Sequence, residues 1–465
     1  MGARFTLMLV VVMAAGLSGC FESQRDETFE DTVVLDDVDV RVLNAMADAP
    51  ELTLDVDEKA RVEALAYGET GEFTLPANQY RFRVRGDTGQ ESLATLLDGA
   101  QDNLEEDHRY DLIPTGLLAD DSGQVVLFGE DDETFEGETQ QDRDEENEDL
   151  SDSEKKTGPL EQVRLRAAHV TRGAGPVDLY LNDEPCQAIE GDTEPAATLA
   201  LGERSEPLLV EEGVYRLCLT KEGKAEKAED VVYDSGSRLD FEFGQDLLLA
   251  AIPNTGIDNT AYPVSLAVLD GMETQVFRHD DQQGGLQFVH AAAGLGNTVD
   301  ADLVDEGSVA NNVDFAGVEP GTAAVDYQLS VAGSYDFSVK ESDDGPELAK
   351  RNIRLARGLG LSAFLVESEA DVTAEELLLL TNDDRSVETN ARVRAVHAAS
   401  GLREDSEDAG SVDLYLLPSD ESLSEDGTVR EPWISGLEYL GRSGYLPVPE
   451  STNYKLVVTD EGDSA

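Results

Sequence analysis

The sequence predicts an all-β chain of tandem, small antiparallel β-sandwich modules behind an export signal. Three observations predict it. Apolar and polar residues alternate at period two along many short stretches, Gly, Pro, Asn and Asp punctuate those stretches, and one order of stretches recurs four times. The 465 residues suit three or four domains of roughly 150 residues or fewer. With 34 Lys and Arg against 99 Asp and Glu, the net charge is −65, which excludes binding to nucleic acid by charge. The carboxylates are spread through every segment and Lys is scarce. Such a surface holds water and counterions in strong salt and marks a salt-adapted source.

The amino terminus gives the destination. Arg4 precedes an apolar run from Phe5 to Leu17, which is short for a membrane span and fits a secretory signal. The ending Leu17-Ser18-Gly19-Cys20 resembles the lipobox of bacterial lipoproteins. That resemblance implies cleavage before Cys20, acylation of Cys20 and membrane attachment through two or three acyl chains. Phe21, where a retention signal would have Asp, points by analogy to the outer membrane, with the periplasmic or outer face left open. Residues 1–20 are therefore read as signal, and 21–38 as an acidic tether.

Each repeat opens on a strand ending in His or Asn: Val40-Arg-Val-Leu-Asn44, Val163-Arg-Leu-Arg-Ala-Ala-His169, Leu286-Gln-Phe-Val-His290 and Val393-Arg-Ala-Val-His397. A second strand follows a turn: Leu52–Val56, Val177–Leu181, Val299–Leu303 and Val412–Leu416. Then come Ala66-Tyr-Gly68, Ala200-Leu-Gly202, Phe315-Ala-Gly317 and Tyr439-Leu-Gly441, each before another short apolar stretch. A further strand begins at Tyr80, Tyr215, Tyr335 and Tyr454, with apolar residues two and four positions later, so each Tyr is a core anchor on a half-buried strand. Closing strands complete three copies. The modules are placed at 39–128, 161–272, 285–380 and 391–465. The last lacks its closing pair, so either the chain is truncated or this module borrows edge strands from a neighbour; truncation is the favoured reading because an open edge is a liability. Residues 129–160, with Asp142-Arg-Asp-Glu-Glu-Asn-Glu-Asp149, are read as an acidic, disordered linker.

The openings resemble a bacterial envelope family known as domain of unknown function 4397, whose copies begin V-R-x-V-H-A and continue V-D-V-Y. The likeness is strongest at His169 with Val177-Asp-Leu-Tyr180, and at His397 with Val412-Asp-Leu-Tyr415. The first copy departs, with Asn44 and Thr53, and the third has Asp302 in place of Tyr. The resemblance implies an exported, Ig-like β-sandwich repeat and no established reaction.

The sharpest chemical candidates are the repeated pairs His169 with Asp178, His290 with Asp300, and His397 with Asp413. A His–Asp pair can orient a base or tune a metal ligand. Repetition in every module favours a structural use, in which each His caps its strand and bonds a turn carbonyl or that Asp. No nucleophile motif, zinc spacing, phosphate loop or dinucleotide fingerprint accompanies the pairs, so no catalytic, metal or cofactor residue is assigned. Cys186 and Cys218 are expected to form a disulfide on the outer face of a strand, in keeping with export. Arg85-Gly86-Asp87 is a turn after a strand. The expectation is a non-catalytic, lipid-anchored structural, adhesive or binding protein whose partner is an envelope protein or glycan. The alternatives are an envelope hydrolase using a His/Asp site and a surface spacer stiffened by calcium.

Overall fold

In the first three modules the opening strand becomes an inner strand of its sheet. The computed structural model describes residues 37–462 except 91, 149–154, 157–159, 183, 190–192, 225–226, 272, 306–307, 342–344, 369–373, 401–409, 426–427 and 450–452. The signal, Cys20 and nearly all of the tether lie outside the described residues. Those described hold thirty-five strands, one α helix and four single-turn 3₁₀ helices, and no helix among them is long and apolar enough to cross a membrane.

The third module shows the plan most plainly. One sheet runs Thr322–Ser330, Gly284–His290, Gly360–Glu367, Glu375–Asn382, and the other Ser308–Val318, Val299–Asp305, Gly333–Lys340, Glu347–Leu355. Leu286, Phe288, Leu303, Phe337, Val339 and Leu365 fill the space between them, each with no exposed surface. The period-two pattern has put these residues on inward faces, where burial of each contributes roughly 1.5–3 kcal/mol.

In one respect the sheets depart from an all-antiparallel plan. The opening strand pairs in parallel with a closing strand in three modules: 39–42 with 109–112, 164–169 with 246–251, and 285–290 with 360–365. A parallel pair needs a long crossover, and the entire second sheet of each module serves as that crossover. In the fourth module Asn390–Val393 pairs only with Leu446–Pro449 among the described residues, while Val412–Pro418 lies between Ile434–Leu437 and Tyr454–Asp460.

Two repeated devices hold the turns. Each strand-opening Tyr ties its hydroxyl back to a carbonyl just upstream: Tyr80 to Pro76, Tyr215 to Glu211, Tyr335 to Val331 and Tyr454 to Pro449, at 2.6–3.2 Å. This is the tyrosine-corner arrangement of Ig-like sandwiches. The second device is a left-handed residue whose N–H donates to the carbonyl of the His or Asn ending the first strand. Gly68, Gly202 and Gly321 take this place in three copies, at φ +79°, +81° and +74°. In the third copy, then, the residue equivalent to Gly68 is Gly321 and not Gly317, because the strand Ser308–Val318 runs on past Gly317 and turns at Glu319-Pro320-Gly321. In the fourth, Leu440 donates to the His397 carbonyl at φ +59°, one residue before Gly441.

The acidic stretch 129–160 differs from the extended disorder expected of it. Its start belongs to the strand Gln124–Asp131, and Gln140–Glu148 is helical. Thr139 and Asp142 cap that helix reciprocally through side chain and backbone. Arg164 reaches the Glu133 carbonyl and stands over the Phe135 ring, so residues 133–135 are pinned to the second module.

Candidate functional site

The repeated His and Asp side chains lie close in sequence but serve different partners. His169, His290 and His397 are almost fully buried, and each Nε2 bonds the carbonyl of the turn ahead, at Gly175, Asn297 and Gly410, over 2.6–3.0 Å. Asp178 accepts from Thr198 Oγ1 and Gly223 N–H, Asp300 from Gly317 N–H, and Asp413 from Gly436 and Gly462 N–H. Asp178 and Asp413 thus each tie a neighbouring strand to the turn after the paired strand, and Asp300 holds the strand beside its own. In the first copy Asn44 fills the His position, donating to the Leu65 carbonyl and accepting from Met46 N–H. Burial lowers the His169 imidazole pKa, partly offset by the Gly175 carbonyl, so the ring is held neutral.

Cys186 and Cys218 are joined, with Cα atoms 5.6 Å apart. Cys218 points away from the sandwich core, where Tyr180, Ile189 and Cys186 cover it completely. The carboxylate of Asp234 lies close by, but both sulfurs are engaged in the disulfide. Among the described residues no other trio of His, Cys, Asp or Glu lies close enough to hold a metal.

The tertiary structure also assembles a feature built from two modules at once. Leu43, Ala45 and Ile113 of the first module pack against Ala168, Val170, Leu248, Ala250, Ile252, Ala267 and Leu269 of the second. These residues form a second core on the outward faces of the two opening sheets. The signal was present in Leu247-Leu-Leu-Ala-Ala-Ile252, an unbroken apolar run that marks a strand buried on both faces. At the rim of this interface, Glu130 of the first module lies against Arg109, Arg166 and Arg204. Asp246 of the second module lies against Arg109, Arg164 and Arg166. Burial alone would raise the Asp246 carboxyl, yet hydrogen bonds from Arg164 and Arg109, with the Arg109 charge, hold it far below its ordinary value. Thr115 Oγ1 adds a 2.5 Å bond to the Val170 carbonyl.

Further contacts link the remaining modules. Arg357 bonds Asp280, and Ile257 N–H donates to the Gly358 carbonyl, between the second and third. Tyr439 donates to the Glu367 carbonyl between third and fourth. The segment into the fourth module returns to the first, where Glu388 N–H meets the Asp48 carbonyl and Asn390 Nδ2 the Asp87 carbonyl. These interlocking contacts join the four modules into one packed unit.

The fold and these sites define an all-β protein of tandem sandwiches, in which the conspicuous polar residues brace turns and the modules lock together. The chain belongs to the family described as Domain of unknown function (DUF4397), which matches residues 38–141 and 284–415, just over half its length. The second module lies between the matched ranges. No curated protein matches the chain. Among solved structures it is similar to a leucine-rich repeat protein from Bacteroides thetaiotaomicron, at 11% identity and TM-score 0.13, over 43% of this chain and 25% of that one. It is also similar to the fimbrial anchor protein Mfa2 from Porphyromonas gingivalis, at 10% identity and TM-score 0.18, over 48% of this chain and 98% of that one. The chain thus spans a quarter of the first protein's length and nearly all of the second's.

Proposed function

We propose that this protein is a lipid-anchored component of the cell envelope with a non-catalytic, structural or binding role. Acylated Cys20 would hold it to the membrane, the outer membrane by the identity of Phe21, with an envelope protein or glycan as partner. The observation that carries the non-catalytic reading is the use of His169, His290 and His397. Each imidazole is buried and tied to a turn carbonyl of its own module, not to the Asp of the next strand. The interlocked modules favour a rigid scaffold over a flexible string, so that loops are presented in set directions and little is lost to ordering on binding.

Two experiments test this. Mass spectrometry of the mature amino-terminal peptide should find acyl chains on Cys20, and Cys20→Ser should release the protein from sedimented membranes. Cross-linking on intact cells in native salt, followed by affinity capture, should return one stoichiometric envelope partner or copies of the protein itself. An enzymatic turnover that vanishes in His169→Asn, while the melting temperature stays unchanged, would replace the scaffold with a hydrolase.

A further inference from the structure

The most basic stretch of this acidic chain is Lys350-Arg351-Asn352-Ile353-Arg354-Leu355-Ala356-Arg357. It forms most of the edge strand Glu347–Leu355 in the third module and the turn that follows. Charge on an edge strand also deters unwanted pairing. Any charge serves that purpose, and the rest of this chain supplies Asp and Glu more than three times as often as Lys and Arg. An edge guard needs no cavity, yet one lies beside this strand.

The cavity, of about 570 Å³, opens between the second and third modules. Arg238, Arg278, Arg354 and Arg357 line it and no carboxylate does. Its remaining lining is largely apolar and includes Val276, Phe277 and Leu359, of which Val276 and Leu359 are 37% and 39% exposed. Arginines beside exposed apolar side chains are a composition typical of binding surfaces.

Charge around the cavity does not balance. Asp280 lies 2.8 Å from Arg357, 3.7 Å from Arg238 and 3.9 Å from Arg216, and Asp234 is 3.3 Å from Arg216. Arg278 bonds only neutral groups, the side chains of Asn254, Ser265 and Thr255. The Arg354 backbone pairs with Ser334 in the sheet, but its side chain is exposed and has no hydrogen bond or ion pair among the described residues. Asp383 adds its charge toward Arg278 without a hydrogen bond to it. Five arginines therefore share three carboxylates, in a protein whose net charge is −65. Burial lowers the pKa values of Arg238 and Arg278, the desolvation cost that a bound anion would offset.

We infer that this cavity binds an oxyanion carried on a sugar-sized ring, the arginines supplying the countercharge and Val276, Phe277 and Leu359 the apolar surface for the ring. The ligand chemistry is shared by uronate carboxylates and sugar phosphates. This goes beyond the scaffold reading and does not depend on the lipid anchor.

Calorimetric titration of the full mature protein, in the salt that keeps it folded, tests the assignment with three probes: trigalacturonate, neutral galactotriose and inorganic phosphate. Trigalacturonate should bind at least tenfold more tightly than galactotriose. Arg354→Ala should weaken that binding by about tenfold, the usual scale for a hydrogen bond to a charged group. Arg354→Glu should abolish binding, and Arg354→Lys should restore part of it. Because the Arg354 side chain has no partner to lose, each variant should melt as the parent does. Binding of phosphate without trigalacturonate would keep the oxyanion site and assign the phosphate source. Binding of neither anion, or equal affinity in Arg354→Ala, would overturn the inference.

Discussion

Removing the Glu130 carboxylate tests whether the modules are locked together. On a free-standing first module, Glu130 would sit near the end of an outer strand, and an exposed ion pair there would contribute about 0–1 kcal/mol. In the structure its side chain is 11% exposed, and it lies between Arg109 of its own module and Arg166 and Arg204 of the next, which are 33%, 6% and 15% exposed. Glu130→Ala leaves Arg109 and Arg166 with Asp246 and takes from Arg204 its one ion pair among the described residues. Breaking a buried pair from one side costs about 3–5 kcal/mol. The lower end applies, since Arg109 is a third exposed and Arg166 keeps a 2.5 Å contact to Asp246. For a unit of roughly 200 residues, about 3 kcal/mol lowers the melting temperature by about 6–12 °C. Differential scanning calorimetry at pH 7.5 in constant salt reads this directly. A double-mutant cycle with Arg166→Ala should give a coupling of at least about 1 kcal/mol, because the two residues touch across the interface. A fall below about 2 °C, or simple additivity of the two substitutions, would mean that the modules do not share this interface in solution.

Three more outcomes are expected. Reduction of the Cys186–Cys218 bond, which spans 32 residues, should destabilise the second module by about 3–4 kcal/mol, seen as a lower melting transition in reductant. Burial lowers the pKa values of both His169 and His279. The unfolded chain then binds protons first on acidification, so their contribution is full above about pH 6.5 and falls as pH drops below it. Melting temperatures measured from pH 7.5 to 5 should decline, and His279→Gln should flatten part of the decline; an unchanged slope would contradict burial of this neutral ring. Leu440→Gly should stabilise the fourth module by about 1 kcal/mol, because Leu440 holds φ +59° where the other copies use glycine, and thermal melts would detect it.

The strands, their facing and the repeat were readable from the chain because period two is a local property. Tyr335, Phe337 and Val339 had to share a face, and all three are buried on it. The Cys186–Cys218 pair followed from export chemistry and cysteine count. The turn glycine of the third copy was misplaced at Gly317, since local likeness in sequence cannot measure how far a strand runs before it turns. Sequence spacing left His169 two partners, a turn carbonyl or Asp178; the ring bonds the Gly175 carbonyl, and Asp178 accepts from Thr198 and Gly223.

Other features exist only once distant segments meet. The parallel pairing of 164–169 with 246–251 joins strands about 80 residues apart, and no local pattern states it. Glu130 and Asp246 each looked like one more solvated acid among 99 until packing desolvated them among arginines. The arginine-lined cavity is of the same kind, with Arg238 and Arg278 from one module and Arg354 and Arg357 from the next. Alternation along one strand determines which face is buried. What that face meets, and which charges lose their water, depends on long-range packing, and this alone decided the interfaces and the cavity.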